Sequence, residues 1–187
     1  MLLTMHIKKL QEKVAVPSGV DIKIEKQTLT IKGKKGELKK DFIYPTINIA
    51  KEGDFMIFSA TNATKRDKTM IGTFAAHLKS MIVGTSEGHT YMLKICSGHF
   101  PMRVALKGKE FVVENFLGEK IPRKLTIHEG ATVKIEGNDV TVSAIDKEIA
   151  GGCAAAIEKL TRVTGRDRRI FQDGIYITMK SGKPVAE

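Results

Sequence analysis

The second half of the chain restates the first, and this internal repeat limits the fold more than any other feature. At a spacing of about 77 residues, three anchor points recur in the same order. Ile31-Lys32-Gly33-Lys34 matches Leu106-Lys107-Gly108-Lys109, Glu52-Gly53 matches Glu129-Gly130, and Asp67-Lys68 matches Asp146-Lys147. The last anchor opens the strongest match. Met70, Ile71, Phe74, Ala75, Leu78 and Met81 are apolar in the first copy; Ile149, Ala150, Cys153, Ala154, Ile157 and Leu160 are their partners in the second. Both sets follow the spacing of one helical face, so each copy is expected to carry one amphipathic helix. Gly72 and Gly151 coincide inside those helices. Glycine there costs about 1 kcal/mol against alanine, so its repetition points to close packing on a sheet. Asp67 and Asp146 fit helix N-caps. Gly19 to Ile31 also resembles Gly130 to Val142, which reads as one hairpin resembling another.

Elsewhere the pattern has period two. Val20 to Ile24, Leu29 to Lys32, Ala131 to Ile135 and Val140 to Val142 alternate apolar and polar residues, as half-buried strands do. Gly33 to Gly36 and Gly137 to Asp139 read as turns. Gly174 to Met179 reads as a closing strand. The expected fold class is α+β, two tandem repeats of a small domain, each an antiparallel β-sheet packed on one α-helix. The domains are expected at 1–83, an N-terminal α+β repeat, and 84–187, a C-terminal α+β repeat with a basic tail.

Charge narrows the function. The 187 residues include 31 Lys plus Arg against 21 Asp plus Glu, a net charge of +10, which favours a polyanionic partner. Residues 84–150 are neutral overall, and the positive charge gathers in two stretches, 1–40 and 159–183. The densest run is Arg162-Val163-Thr164-Gly165-Arg166-Asp167-Arg168-Arg169, directly after the second helix. Guanidinium groups bind phosphate oxygens in pairs and stack on exposed bases, so this loop is the leading RNA-binding candidate, with Lys159 beside it. Lys159 and Arg162 could also serve only to cap the helix C-terminus. Lys32, Lys34 and Lys35 form a second cluster. Arg66, with Lys65 and Lys68, forms a third at a helix start, where cations oppose the helix dipole. Phe171 and Tyr176 lie near the arginines but are expected to pack in the core.

No chemistry-bearing motif stands against this reading. The sequence holds no P-loop, no dinucleotide fingerprint and no nucleophile elbow, and its five histidines do not pair at metal-ligand spacing. Cys96-x-x-His99 offers only two potential ligands. Cys96 and Cys153 are expected to be reduced, buried thiols. No apolar run approaches the ~18 residues of a membrane span, and the opening Met1 to Leu10 lacks a signal peptide's long apolar stretch and cleavage site. The expectation is no catalytic residue, no metal, no cofactor and no membrane. A basic protein–protein module and an RNA-processing enzyme with an unfamiliar site remain as rival readings.

Specific segments resemble the universal large-subunit ribosomal protein L-six family, in its archaeal and eukaryotic form (L-nine in eukaryotes). Val14-Ala15-Val16-Pro17 with Gly19-Val20 resembles the family's opening strand and turn. Ile31 to Leu38 resembles its K-G-P-K-G-x-L segment, with Lys34 where proline is usual. His99-Phe100-Pro101, Glu114 to Glu119 and Pro122-Arg123 are similar to the archaeal pattern, and Phe171 to Ile177 resembles the C-terminal signature. The chain departs at Gly152, where glutamine is usual, and at Ala156, where asparagine is usual. The resemblance implies a structural, non-enzymatic protein of the cytoplasmic ribosome. Its expected partner is large-subunit ribosomal RNA near the sarcin–ricin loop and the stalk base, with neighbouring ribosomal proteins and translation factors close by. It implies that the C-terminal module makes the main contact, through Arg162, Arg166, Arg168, Arg169, Lys180 and Lys183.

Overall fold

A computed structural model describes residues 7–185. Of the opening Met1 to Leu10, where no signal peptide is expected, residues 1–6 lie outside them. The chain divides into two compact units, 1–87 and 88–187.

In the first unit, β1 (Ile7–Ala15), β5 (Ile47–Glu52) and β6 (Phe55–Ala63) form one antiparallel sheet in the order β1-β6-β5. A second sheet is the meander β2 (Asp21–Glu25), β3 (Thr28–Gly33) and β4 (Gly36–Asp41). The helix α1 (Lys65–Ser86) packs on strands of both sheets. The alternation read from the sequence does the work here. Ile22, Leu29 and Ile31 point inward while Asp21, Lys23 and Lys32 stay exposed, so one face of the meander is apolar. Three rings close the core, with Phe42 edge-on to Phe74 at 5.1 Å and Phe58 at 6.1 Å from each.

The second unit repeats this plan. Its main sheet has the order β11-β12-β7-β13-β14, from β7 (His89–Cys96), β11 (Ala131–Glu136), β12 (Asp139–Ala144), β13 (Gly174–Lys180) and β14 (Lys183–Pro184). Its meander is β8 (Arg103–Lys107), β9 (Glu110–Glu114) and β10 (Arg123–Thr126). The helix α2 (Lys147–Leu160) packs on both sheets. The fold is therefore α+β built twice, with two small sheets per helix where one was expected. β13 is the addition: it joins the free side of β7 and brings the C-terminal segment into the sheet.

The helix register survives intact. Ile71, Phe74, Ala75 and Leu78 are buried in α1, and Ala150, Cys153, Ala154 and Ile157 are buried in α2. The other two anchors align turns that are not equivalent. Gly33-Lys34 closes β3–β4 whereas Gly108-Lys109 closes β8–β9, whose counterpart is the β2–β3 turn. The structural partner of Glu52-Gly53 is Glu136-Gly137, since each closes the hairpin that leads into the helix. Lys-Gly-Lys and Glu-Gly are turn chemistry that any hairpin can use. Cap assignments also differ. Asp146 is the N-cap of α2, its carboxylate accepting from Glu148 N at 2.8 Å. In α1 the N-cap is Thr64, and Asp67 is its capping-box partner three residues on.

Candidate nucleic-acid interface

The arginine loop occupies residues 161–173, between the end of α2 and the start of β13. A loop this rich in cations would self-repel and wander unless its backbone were fixed, and both its ends are anchored. At the start, Thr161 is buried and its hydroxyl accepts from Ile175 N at 2.8 Å. Glu158, one turn back on α2, accepts from Ile177 N at 3.2 Å. Arg123, from β10, donates through Nη1 to the carbonyls of Leu160 at 2.7 Å and Arg162 at 3.5 Å. Its other donors reach Glu119 at 2.8 and 2.5 Å, and its guanidinium lies 4.2 Å above the Phe116 ring. Those hydrogen bonds hold the Glu119 carboxyl below its usual pKa. Arg123 thus caps the end of α2 from another strand.

At the far end, Asp173 is only 2% exposed. Its carboxylate accepts from Gly98 N at 2.6 Å, His99 N at 2.9 Å and His99 Nδ1 at 2.7 Å. Burial alone would raise its pKa; the hydrogen bonds from His99 and Gly98 outweigh that and hold it below the usual carboxylate value. Between the anchors, Val163 is buried in the core, and Asp167 closes a turn by accepting from Phe171 N through its carbonyl at 2.9 Å.

The cations on this frame are not equivalent. Arg169 is held by Asp167, with Nη2 donating to Oδ2 at 2.8 Å and Nε to Oδ1 at 3.1 Å. Arg166 lies 4.9 Å over the Phe171 ring, which also meets His99 at 4.8 Å. Phe171 is half-buried against the core as expected, while Tyr176 is 37% exposed. Arg162 and Arg168 are exposed, and their guanidiniums make no hydrogen bond or ion pair among the described residues. Two grooves adjoin there. One, of about 300 Å³, is lined by Lys159, Arg162, Arg168 and Tyr176 among others; the second, of about 750 Å³, shares Arg168 and Tyr176 with it. The arrangement places unpaired guanidiniums along one furrow on a fixed backbone.

Within the second unit, two candidates do not join that furrow. Lys180 and Lys183 face each other across the β13–β14 hairpin. They sit at the opposite end of β13 from Gly174, about 20 Å away at the rise of an extended strand. The single basic stretch 159–183 is therefore two separate patches in space. In the first unit, Lys32 and Lys34 are exposed at the β3–β4 turn. Lys35 donates its backbone N–H to Thr85 O at 2.9 Å and its ammonium to Glu87 O, so it also caps the end of α1. Arg66 is exposed at the other end of that helix. The 22 residues of α1 put it about 33 Å from the lysine turn.

The cysteines differ from each other. Cys153 is buried in α2 and burial pushes its thiol pKa up, whereas Cys96 is only half-buried and borders the larger groove. No helix among the described residues is long and apolar enough to cross a membrane.

Comparison with known proteins gives a consistent result. A family model described as ribosomal protein L6 matches residues 16–88 and again residues 100–174. The large ribosomal subunit protein uL6 of Methanococcus vannielii is 42% identical over 174 residues, covering 93% of this chain and 96% of that protein. The protein of the same name from Methanosarcina mazei is 43% identical over 176 residues, covering 94% and 99%.

Proposed function

Because the chain belongs to the ribosomal protein L6 family, we propose that its loop 161–173 grips large-subunit ribosomal RNA near the sarcin–ricin loop and the base of the stalk. Membership makes it a structural, non-enzymatic constituent of the large ribosomal subunit, working in the cytoplasm as part of the ribosome. The observation that carries the finer reading is the furrow in which Arg162 and Arg168 stand unpaired beside Lys159.

The mechanism is architectural. Phosphates of a folded RNA enter the furrow, the free guanidiniums neutralise them, and released counterions supply much of the affinity. Arg123, Thr161 and Asp173 fix the backbone in advance, so little loop entropy is lost on docking. Lys180 and Lys183 at the far end of β13, and Lys32, Lys34 and Arg66 in the first unit, serve as outlying contacts. Spread over two units, they reach separate RNA segments or the junction with neighbouring ribosomal proteins. In this position the protein braces the region where translation factors dock.

Replacing Arg166, Arg168 and Arg169 together with alanine tests the reading. Affinity for a large-subunit RNA fragment is expected to fall. The slope of log K against log salt should flatten by about 0.7 to 0.9 for each phosphate that is no longer neutralised. An unchanged slope rejects the assignment.

A further inference from the structure

We propose that the larger of the two grooves is a site for one unpaired nucleotide, which stacks its base between Ile170 and Tyr176. This rests on the RNA reading of the arginine loop and adds to it a ligand chemistry, an unstacked base, that backbone binding does not require.

The groove measures about 750 Å³ and is lined by the segment Cys96 to His99 together with Arg168, Ile170, Gln172 and Tyr176. That volume lies within the range of about 300–1,000 Å³ of small-molecule sites. A clamp for phosphates alone has no use for apolar walls, yet this one has two. Ile170 is 62% exposed in the middle of a cationic loop whose other aliphatic residue, Val163, is buried. Tyr176 is exposed along the same groove.

The tyrosine is held ready for stacking. Its hydroxyl donates to the carbonyls of Gln172 at 3.2 Å and Asp173 at 3.4 Å. Its phenol end lies so close to Gly174 that a Cβ there would come within 3.1 Å of it. The ring is therefore fixed before any ligand arrives, and its polar atom is already committed to the backbone. What remains for a ligand is a rigid apolar surface, which suits the π-face of any base.

Polar groups complete the fit. Arg168 belongs to both grooves, so one guanidinium can meet the phosphate that connects a stacked base to its neighbours. Gln172 donates through Nε2 to Arg169 O at 3.2 Å, which fixes the amide and leaves Oε1 to accept from a base amino group. A base paired within an A-form helix cannot reach such a slot, whereas a bulged or looped-out nucleotide can.

The full-length protein should be titrated with three fluorescein-labelled RNA hairpins: an uninterrupted duplex, the same duplex with one bulged adenosine, and the same with an abasic bulge. The bulged adenosine is expected to bind about tenfold more tightly than the other two. Ile170→Ser should erase that preference while leaving duplex affinity unchanged, and Tyr176→Phe, which keeps the ring but loses the bonds that fix it, should reduce the preference without erasing it. Equal binding of adenosine and abasic bulges overturns the proposal and leaves the phosphate furrow standing. Failure of the wild-type protein to bind any of the three overturns both.

Discussion

The carboxylate of Asp173 lies 2.7 Å from Nδ1 of His99, two residues that are 74 positions apart in the chain. Because an ionised carboxylate only accepts, Nδ1 carries the proton. With the Gly98 and His99 amides, this bond ties the end of the arginine loop to the segment after β7. Asp173→Asn keeps the shape and removes the charge, and is expected to cost about 1–2 kcal/mol at pH 7. The folded pKa of Asp173 is depressed, so its contribution is complete above the unfolded value of about 3.9 and is lost as pH falls through the folded value. Urea unfolding of the two proteins should therefore differ at pH 7 and converge below pH ~4. A gap that stays constant with pH would contradict the assignment.

Arg123 is expected to support RNA binding without touching RNA. Its side chain is half-buried and its donors go to two carbonyls at the end of α2 and to Glu119. Arg123→Ala should lower stability by about 1–3 kcal/mol and speed amide exchange at residues 160–163. RNA affinity should fall because Arg162 loses its fixed position. Lysine has no planar fork, so Arg123→Lys is not expected to restore protection or affinity. Full rescue by lysine would show that only the charge matters.

The loop's positive charge is partly neutralised from within. Asp167 holds Arg169, and that hydrogen bonding keeps the Asp167 carboxyl below its usual pKa. Asp167→Asn preserves an oxygen for the Arg169 backbone N–H while removing the negative charge. RNA binding at low salt is expected to tighten about two- to fivefold, and the salt slope to steepen by about 0.7–0.9 as Arg169 gains a phosphate. In the unaltered protein, Arg168→Ala should weaken binding more than Arg169→Ala. The reverse order in filter-binding titrations would refute this ranking.

The bonds that anchor the loop mark where sequence reasoning stopped. Residues 71, 74, 75 and 78 and their counterparts declared the helices because a buried face imposes its period locally. Arg162 to Arg169 declared themselves by charge density. The anchors did not: Arg123 reaches Leu160 across 37 residues, Thr161 reaches Ile175 across 14, and Asp173 reaches His99 across 74. No local pattern encodes such pairs. Arg123 and Asp173 did fall inside the segments that resembled the family, Pro122-Arg123 and Phe171 to Ile177, which was the one signal that could have found them. The separation of Lys180 and Lys183 from the loop was hidden too, because proximity in sequence along an extended strand becomes distance in space.

The repeated helix glycines separate two reasons for keeping a glycine. Both were expected to mark tight packing, but a Cβ on Gly72 would meet nothing within 4 Å, whereas one on Gly151 would come within 3.0 Å of the Tyr91 hydroxyl. Gly152, next to it in α2, has open space as well. Gly72→Ala and Gly152→Ala should each stabilise the protein by about 1 kcal/mol, since alanine lowers the chain entropy lost on helix formation and nothing obstructs it. At Gly151 the same entropic gain is opposed by displacement of a buried tyrosine, so Gly151→Ala should gain less than its neighbour Gly152→Ala. Denaturation midpoints of the three variants decide the point. Equal gains at 151 and 152 would mean that Tyr91 yields freely and that the close approach between α2 and β7 is not what requires the glycine.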